Sequence, residues 1–99
     1  MVLDSNQVIR KIQENREKIK QYGVKRLGLF GSVARNAGSA KSDLDFLVEF
    51  DKKSFDSYMD LRTYLEELFS ARVDLVLSNT LKPRLRESIL KETRYVPGF

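Results

Sequence analysis

Three short apolar runs, separated by segments of helical period, constrain this chain more than any other feature of its sequence. Residues 24–30, with Leu27, Leu29 and Phe30, about 43–50, and 72–77, with Val73, Leu75 and Val76, read as strands. Residues 5–22 carry Val8, Ile9, Ile12, Ile19 and Tyr22 at helical spacing, with Asp4 or Ser5 as the cap and Gly23 where a helix stop belongs. Residues 54–69 repeat that period through Phe55, Tyr58, Leu61, Leu65, Leu68 and Phe69. Residues 82–92 read as a last helix with Pro83 in its first turn and Leu85, Ile89 and Leu90 as its apolar residues. A short helix over 32–37, a polar loop over 38–42 and a short extended piece in the 95–99 tail complete the pattern. Helices and strands alternate throughout. The fold class expected is α/β, a single small domain over residues 1–99 with a mixed sheet flanked by helices.

Composition narrows the chemistry. The 99 residues include no cysteine and no histidine, which removes disulfides, thiolate nucleophiles, imidazole bases and nitrogen or sulfur metal ligands together. Any metal must be held by oxygen, which favours magnesium, manganese or calcium. A domain this short buries only roughly 60 to 65 % of its unfolded surface, so part of its apolar exterior is expected to serve as an interface. The formal charge of +4 suits an anionic ligand, but the basic residues are interspersed with acids as on an ordinary solvated surface. No stretch resembles a signal peptide or a membrane span, and a cytoplasmic protein is expected.

The second apolar run opens with two aspartates one residue apart. On a strand, Asp43 and Asp45 point to the same face, where their charges repel unless a cation or hydrogen-bond donors compensate. Asp74 likewise interrupts the third apolar run, and an acid inside a strand needs a partner. A neighbouring strand, parallel or antiparallel, would bring Asp74 beside the other two. Three carboxylates on adjacent strands suit a pair of magnesium ions about 3.5 to 4 Å apart, the arrangement that serves phosphoryl transfer. Asp43 and Asp45 would then bridge both metals, and Asp74 would ligate one and take the nucleophile's proton, no histidine being present for that task. Asp43 also has a plainer reading as a turn residue after Ser42. Gly31-Ser32 falls between a strand and a helix start, where a glycine lets backbone approach a ligand and free N–H groups face phosphate oxygens. The same pair read alone is a tight turn.

Gly31-Ser32, ten residues, then Asp43-Leu44-Asp45, with Asp74 on a later strand, resembles the GS-x10-DxD signature of the DNA polymerase β-like nucleotidyltransferases. The stretches LGLFGSVAR and SDLDFLVEF are similar to those of the minimal nucleotidyltransferases, the MNT antitoxins encoded beside HEPN-domain toxins. The resemblance covers nearly the whole chain. It implies a mixed sheet flanked by helices, two Mg2+ ions, ATP as donor and transfer of AMP to a hydroxyl, in some members a tyrosine of the HEPN ribonuclease. Residue by residue, it implies that Gly31 and Ser32 hold the triphosphate, Asp43 and Asp45 the metals, and Asp74 a metal and the base role. Asn36 departs from the glycine common after the Ala-Arg pair, with little effect expected because asparagine tolerates turn conformations. Arg35 is left between a place near the phosphates and a place on the helix surface, and Lys41 in the loop is set aside as solvated.

Two functions of different class fit these residues. One is a protein adenylyltransferase acting on its HEPN partner; the other is a binding antitoxin that neutralises the partner by complex formation. Modification of a small molecule shares the motif but usually needs a further domain to shape an acceptor pocket. Direct nucleic-acid binding is not expected, for nothing resembles a template channel lined with stacking aromatics. Tyr22, Tyr58, Tyr64 and Tyr95 are read as core or interface residues.

Overall fold

The computed structural model describes residues 4–35, 43–51 and 55–99, with the side chain of Phe55 excepted. The expected loop over 38–42, with Lys41, and the last two residues of the helix expected over 32–37, with Asn36, lie outside the described residues. In chain order the elements are α1 (Ser5–Glu14), α2 (Arg16–Lys20), β1 (Val24–Phe30), α3 (Gly31–Ala34), β2 (Leu44–Phe50), α4 (Phe55–Phe69), β3 (Val73–Leu77), a 3-10 turn (Ser78–Thr80), α5 (Pro83–Glu92) and β4 (Arg94–Tyr95).

The first amphipathic segment is two helices rather than one. Asp4 caps α1, accepting from the Gln7 backbone N–H while the Gln7 side chain accepts from the Asp4 backbone N–H. Ser5 is instead buried, and its hydroxyl accepts from the Arg94 guanidinium, which also donates to Asn6 at 3.0 Å and so ties β4 to the start of α1. The break falls at Asn15. Its side-chain amide donates to the Lys11 carbonyl at 2.8 Å and its backbone N–H donates to Ile12, one residue short of the α-helical partner. α2 ends at Lys20 with Gln21 as its cap, and Gly23, with φ +86°, closes the turn that follows, two residues beyond the cap.

The sheet order is β3-β2-β1-β4, with β1 antiparallel to β2 and β4 and with β2 parallel to β3. The mixed sheet expected from the alternation is present. Alternation along the strands sorts its two faces. Leu27 and Leu29, Leu44, Phe46 and Val48, and Val73 and Leu75 join one buried cluster with Val8, Ile12 and Ile19 of the first two helices and Leu61 and Leu65 of α4. Val24 joins the same face although it is three residues from Leu27, because the register between β1 and β2 shifts between Val24 and Arg26 and resets the alternation. Asp45, Leu47 and Glu49 of β2, and Asp74 and Val76 of β3, point the other way. Both strand aspartates therefore leave the core on the same side.

Helix α4 also fixes the edge strand that carries Asp74. The Tyr58 hydroxyl donates to the Leu75 carbonyl at 2.5 Å, and a Glu66 carboxylate oxygen accepts from the Val73 N–H at 3.2 Å. These bonds flank Asp74 on both sides in sequence. No residue of α5 is fully buried, and Leu85 is 46 % exposed. Among the described residues, no helix is long and apolar enough to cross a membrane.

Candidate active site

Asp45 lies at the meeting point of three elements. It is the register partner of Phe30 on β1 and of Asp74 on β3, and it stands two residues after Asp43. Parallel pairing thus places two carboxylates on neighbouring strands at the same level. Strand neighbours lie roughly 4.8 Å apart, and alternate residues along one strand about 6.7 Å apart. Asp43 and Asp74 are exposed, while Asp45 is half-buried.

The electrostatic consequence falls on Asp45. Its pKa is pushed up from 3.8 to about 6, first by burial and then by the negative charges of Asp74, Asp43 and Glu92, with Arg35 acting in the opposite direction. Among the described residues, no ion pair neutralises any of the three aspartates. Nor, among the described residues, do three acidic side chains already enclose a metal position. The three converge within Coulombic range rather than as a finished cage. The donor chemistry nonetheless fits a hard divalent cation: oxygen ligands only, with a repulsion that positive charge relieves.

Gly31 forms the floor of the same place. It has φ +79°, a conformation that residues with a Cβ rarely adopt, and a Cβ built there would sit 2.1 Å from the Asp45 Oδ2 atom and 2.9 Å from its Cγ. The close approach inferred from the glycine is therefore realised against Asp45 itself. Ser32 follows on α3, and Val33 plugs that helix into the core at 3 % exposure. The five sequence-derived positions Gly31, Ser32, Asp43, Asp45 and Asp74 thus come together at one end of the sheet.

Arg35 closes α3, its N–H reaching the Gly31 carbonyl at 3.3 Å. Its guanidinium pairs with Glu92 at 2.6 Å. Glu92 was not among the residues singled out from the sequence. It closes the last turn of a helix whose spacing gives no sign of which strand end it approaches. Tyr58 was read as a helix residue of the core or an interface and Glu66 was not singled out, and their bonds to β3 follow from the parallel arrangement.

A mixed sheet thus carries a glycine-floored carboxylate cluster at one end, and comparison with known proteins says which class of protein it defines. The nucleotidyltransferase domain family model matches residues 9–96, and the chain belongs to that family. Within it, the chain is 38 % identical over 82 residues to the protein adenylyltransferase MntA of Thermococcus cleftensis, covering 82 % of this chain and 83 % of that one. A solved structure provisionally assigned as a minimal nucleotidyltransferase matches with a TM-score of 0.74 and 35 % identity, over 93 % of this chain and 95 % of that chain. The fold is also that of the MNT antitoxin bound to the tri-AMPylated HEPN toxin of Shewanella oneidensis, with a TM-score of 0.58, 20 % identity, and coverage of 88 % of this chain and 72 % of that chain. The protein is an enzyme of the minimal nucleotidyltransferase kind, and its substrate is a nucleotide.

Proposed function

We propose that this protein is a cytoplasmic, magnesium-dependent protein adenylyltransferase that acts as an antitoxin. It transfers AMP from ATP to a tyrosine hydroxyl of a HEPN-type ribonuclease toxin. One observation carries the reading: Asp45 faces Asp74 in register while the Gly31 backbone presses against the Asp45 carboxylate. That leaves a concentrated negative charge beside a strand-to-helix turn.

Each residue has a role in this reading. Gly31 and Ser32 hold the triphosphate through backbone N–H groups and the serine hydroxyl, and the missing side chain of Gly31 admits the phosphates close to Asp45. Asp43, Asp45 and Asp74 would hold the two Mg2+ ions, which when bound supply charge neutralisation for the attacking and leaving oxygens. Asp74, exposed on the edge strand, takes the proton of the tyrosine hydroxyl as its oxygen attacks the α-phosphorus. A new P–O bond forms there, the bond from the α-phosphorus to the bridging oxygen breaks, and pyrophosphate leaves with that oxygen. The half-buried place of Asp45 keeps its carboxylate fixed against Gly31. The similarity to the MntA adenylyltransferase supports AMP as the group transferred, and the fold shared with the MNT antitoxin of the HEPN complex supports the partner.

The test is the intact mass of the neighbouring HEPN protein after incubation with this protein, magnesium and each of the four ribonucleoside triphosphates in turn. A gain of AMP groups with ATP alone, lost when Asp43 and Asp45 are both replaced by Asn, is the expected result. A stable complex without any mass gain would leave a binding antitoxin instead.

A further inference from the structure

Helix α5 ends at the rim of the Asp45 site, yet none of its residues is fully buried. Leu85, 46 % exposed, is the most exposed large apolar side chain among the described residues. Leu85, Ile89 and Glu92 follow one another at intervals of four and three residues, which places them on one face of the helix. Glu92, at the end of that stripe, pairs with Arg35 of α3 and adds its negative charge to the field at Asp45. The exposed leucine is therefore on the side of α5 that turns toward the site, about 10 Å from Glu92 along the helix axis. The other side serves the fold. There Leu90 is half-buried, and Arg86 donates to the Ser78 carbonyl at 3.1 Å beside Glu49 and Leu77.

Charge selects what this stripe can receive. Lys82 stands three residues before Leu85 on the same face, and Arg84 and Arg86 flank the leucine on either side. Among the described residues, none of these three cations meets a carboxylate in an ion pair. The two acids of the helix are already engaged, Glu87 with Lys91 at 3.3 Å and Glu92 with Arg35 at 2.6 Å. The apolar stripe thus lies in a positive field. A second copy of this chain placed on it by a two-fold axis would bring up a face of the same net charge. A partner with acidic side chains around an apolar one is attracted instead.

We infer that Leu85 and Ile89 seat an apolar anchor of the acceptor protein, that acidic residues beside the anchor meet Lys82 and Arg84, and that this contact brings the acceptor hydroxyl to the carboxylates. The inference rests on the protein adenylyltransferase reading of the site. It deepens that reading by assigning acceptor recognition to one face of α5. The 10 Å from Leu85 to Glu92 corresponds to about three residues of extended chain, so the anchor stands at least about that far from an acceptor on the same segment.

The measurement is the rate of AMP transfer to the neighbouring HEPN protein at varied partner concentration, together with the Kd of the complex by titration calorimetry without ATP. Wild type, Leu85→Asp, a Lys82→Glu/Arg84→Glu double variant and Met59→Asp are compared, each checked for folding by circular dichroism. Met59, 36 % exposed on α4, controls for a charge placed on an exposed apolar residue elsewhere. Leu85→Asp raises both the KM for the partner and the Kd about tenfold, the effect of losing an apolar anchor, while kcat at saturating partner and the KM for ATP hold. The double variant raises the partner KM severalfold and flattens its dependence on salt. Met59→Asp moves neither. An unmoved partner KM and Kd in Leu85→Asp, a change confined to kcat or to the KM for ATP, or an equal loss in Met59→Asp would each overturn the inference. So would a wild-type dimer that Leu85→Asp dissociates without moving the partner KM, the behaviour of a contact between copies of this chain. A wild type that binds the HEPN protein but transfers no AMP removes the transferase reading, and the Kd of Leu85→Asp then decides the docking face by itself. A wild type that does not bind the HEPN protein at all removes both.

Discussion

Asp45 and Asp74 are register partners across the parallel β2–β3 pair, two acids at one level of a sheet with no ion pair to either among the described residues. Hydrophobic burial fixes this pairing. Phe46 with Leu75, and Leu44 with Val73, are the adjacent register pairs, and all four are buried in the core, so a one-residue slip of β3 would turn its apolar side chains outward. Core formation therefore forces the two acids together, and the fold bears a local repulsion in order to have the site.

Burial of Asp45, together with that repulsion, predicts a stabilising loss-of-function variant. The folded-state pKa of Asp45 is raised from 3.8 to about 6, so between these values the folded chain holds a proton that the unfolded chain has released. Stability thus falls as pH rises through that window, and the penalty is complete above it. Asp45→Asn removes the penalty. In magnesium-free buffer at pH 7 it should stabilise the fold by about 1 kcal/mol, the nominal value being discounted for solvent screening of a half-exposed carboxylate. That corresponds to a Tm rise of about 4 to 8 °C for a domain of this size. The gain should vanish near pH 4, while AMP transfer is lost throughout. Thermal denaturation across pH, with a transfer assay, checks both halves.

Asp74→Asn should act on Asp45 at a distance. Removing the nearest like charge lowers the Asp45 titration midpoint from about 6, burial being left as the main cause of what shift remains. Carboxyl carbon NMR titration reads this directly. An unmoved midpoint would separate the two carboxylates electrostatically.

Gly31→Ala is expected to damage site and fold together. The positive φ costs a residue with a Cβ about 1 to 2 kcal/mol, and the methyl must displace the Asp45 carboxylate, since it would otherwise lie 2.1 Å from Oδ2. A displacement of this kind costs about a hundredfold in transfer rate. Urea denaturation and the initial rate of AMP transfer give the two numbers. Unaltered transfer would place the reacting phosphorus away from Asp45.

Tyr58→Phe tests how α4 holds the edge strand. The variant keeps the ring and removes the donor to the Leu75 carbonyl, with an expected loss of about 1 kcal/mol. Amide exchange should accelerate in β3 more than in β1. Equal acceleration of both strands would mean that the hydroxyl supports the domain as a whole rather than the strand that carries Asp74.

The fold was legible where period and burial agree. The runs at 24–30 and 72–77 alternate or nearly so and became strands, and the segments at 54–69 and 82–92, which repeat every three to four residues, became helices. The break at Asn15 was not legible, because a side-chain bond back to Lys11 leaves no mark on the apolar period. The same holds for the irregularity between Val24 and Arg26, where one extra residue brings Val24 into the core. At the site, the spacing from Gly31 to Asp45 stood in the sequence, but the contact between them depends on how β1 pairs with β2. Asp74 was read as a neighbour in either direction, and only the parallel register puts it level with Asp45. Arg35 was left between two surroundings, because its partner Glu92 comes from the far end of the chain and is brought near by tertiary structure alone.

A catalytic site turns over, whereas a binding surface is used up one partner at a time. The most direct measurement mixes a trace of this protein with a large molar excess of the HEPN ribonuclease, magnesium and ATP, and follows ribonuclease activity alongside the intact mass of the partner. The expected result is that the whole excess loses activity as it gains AMP, and that omission of ATP or replacement of Asp43 and Asp45 by Asn prevents both. Loss of activity only up to one partner per copy of this protein, independent of ATP and without change of mass, would contradict it.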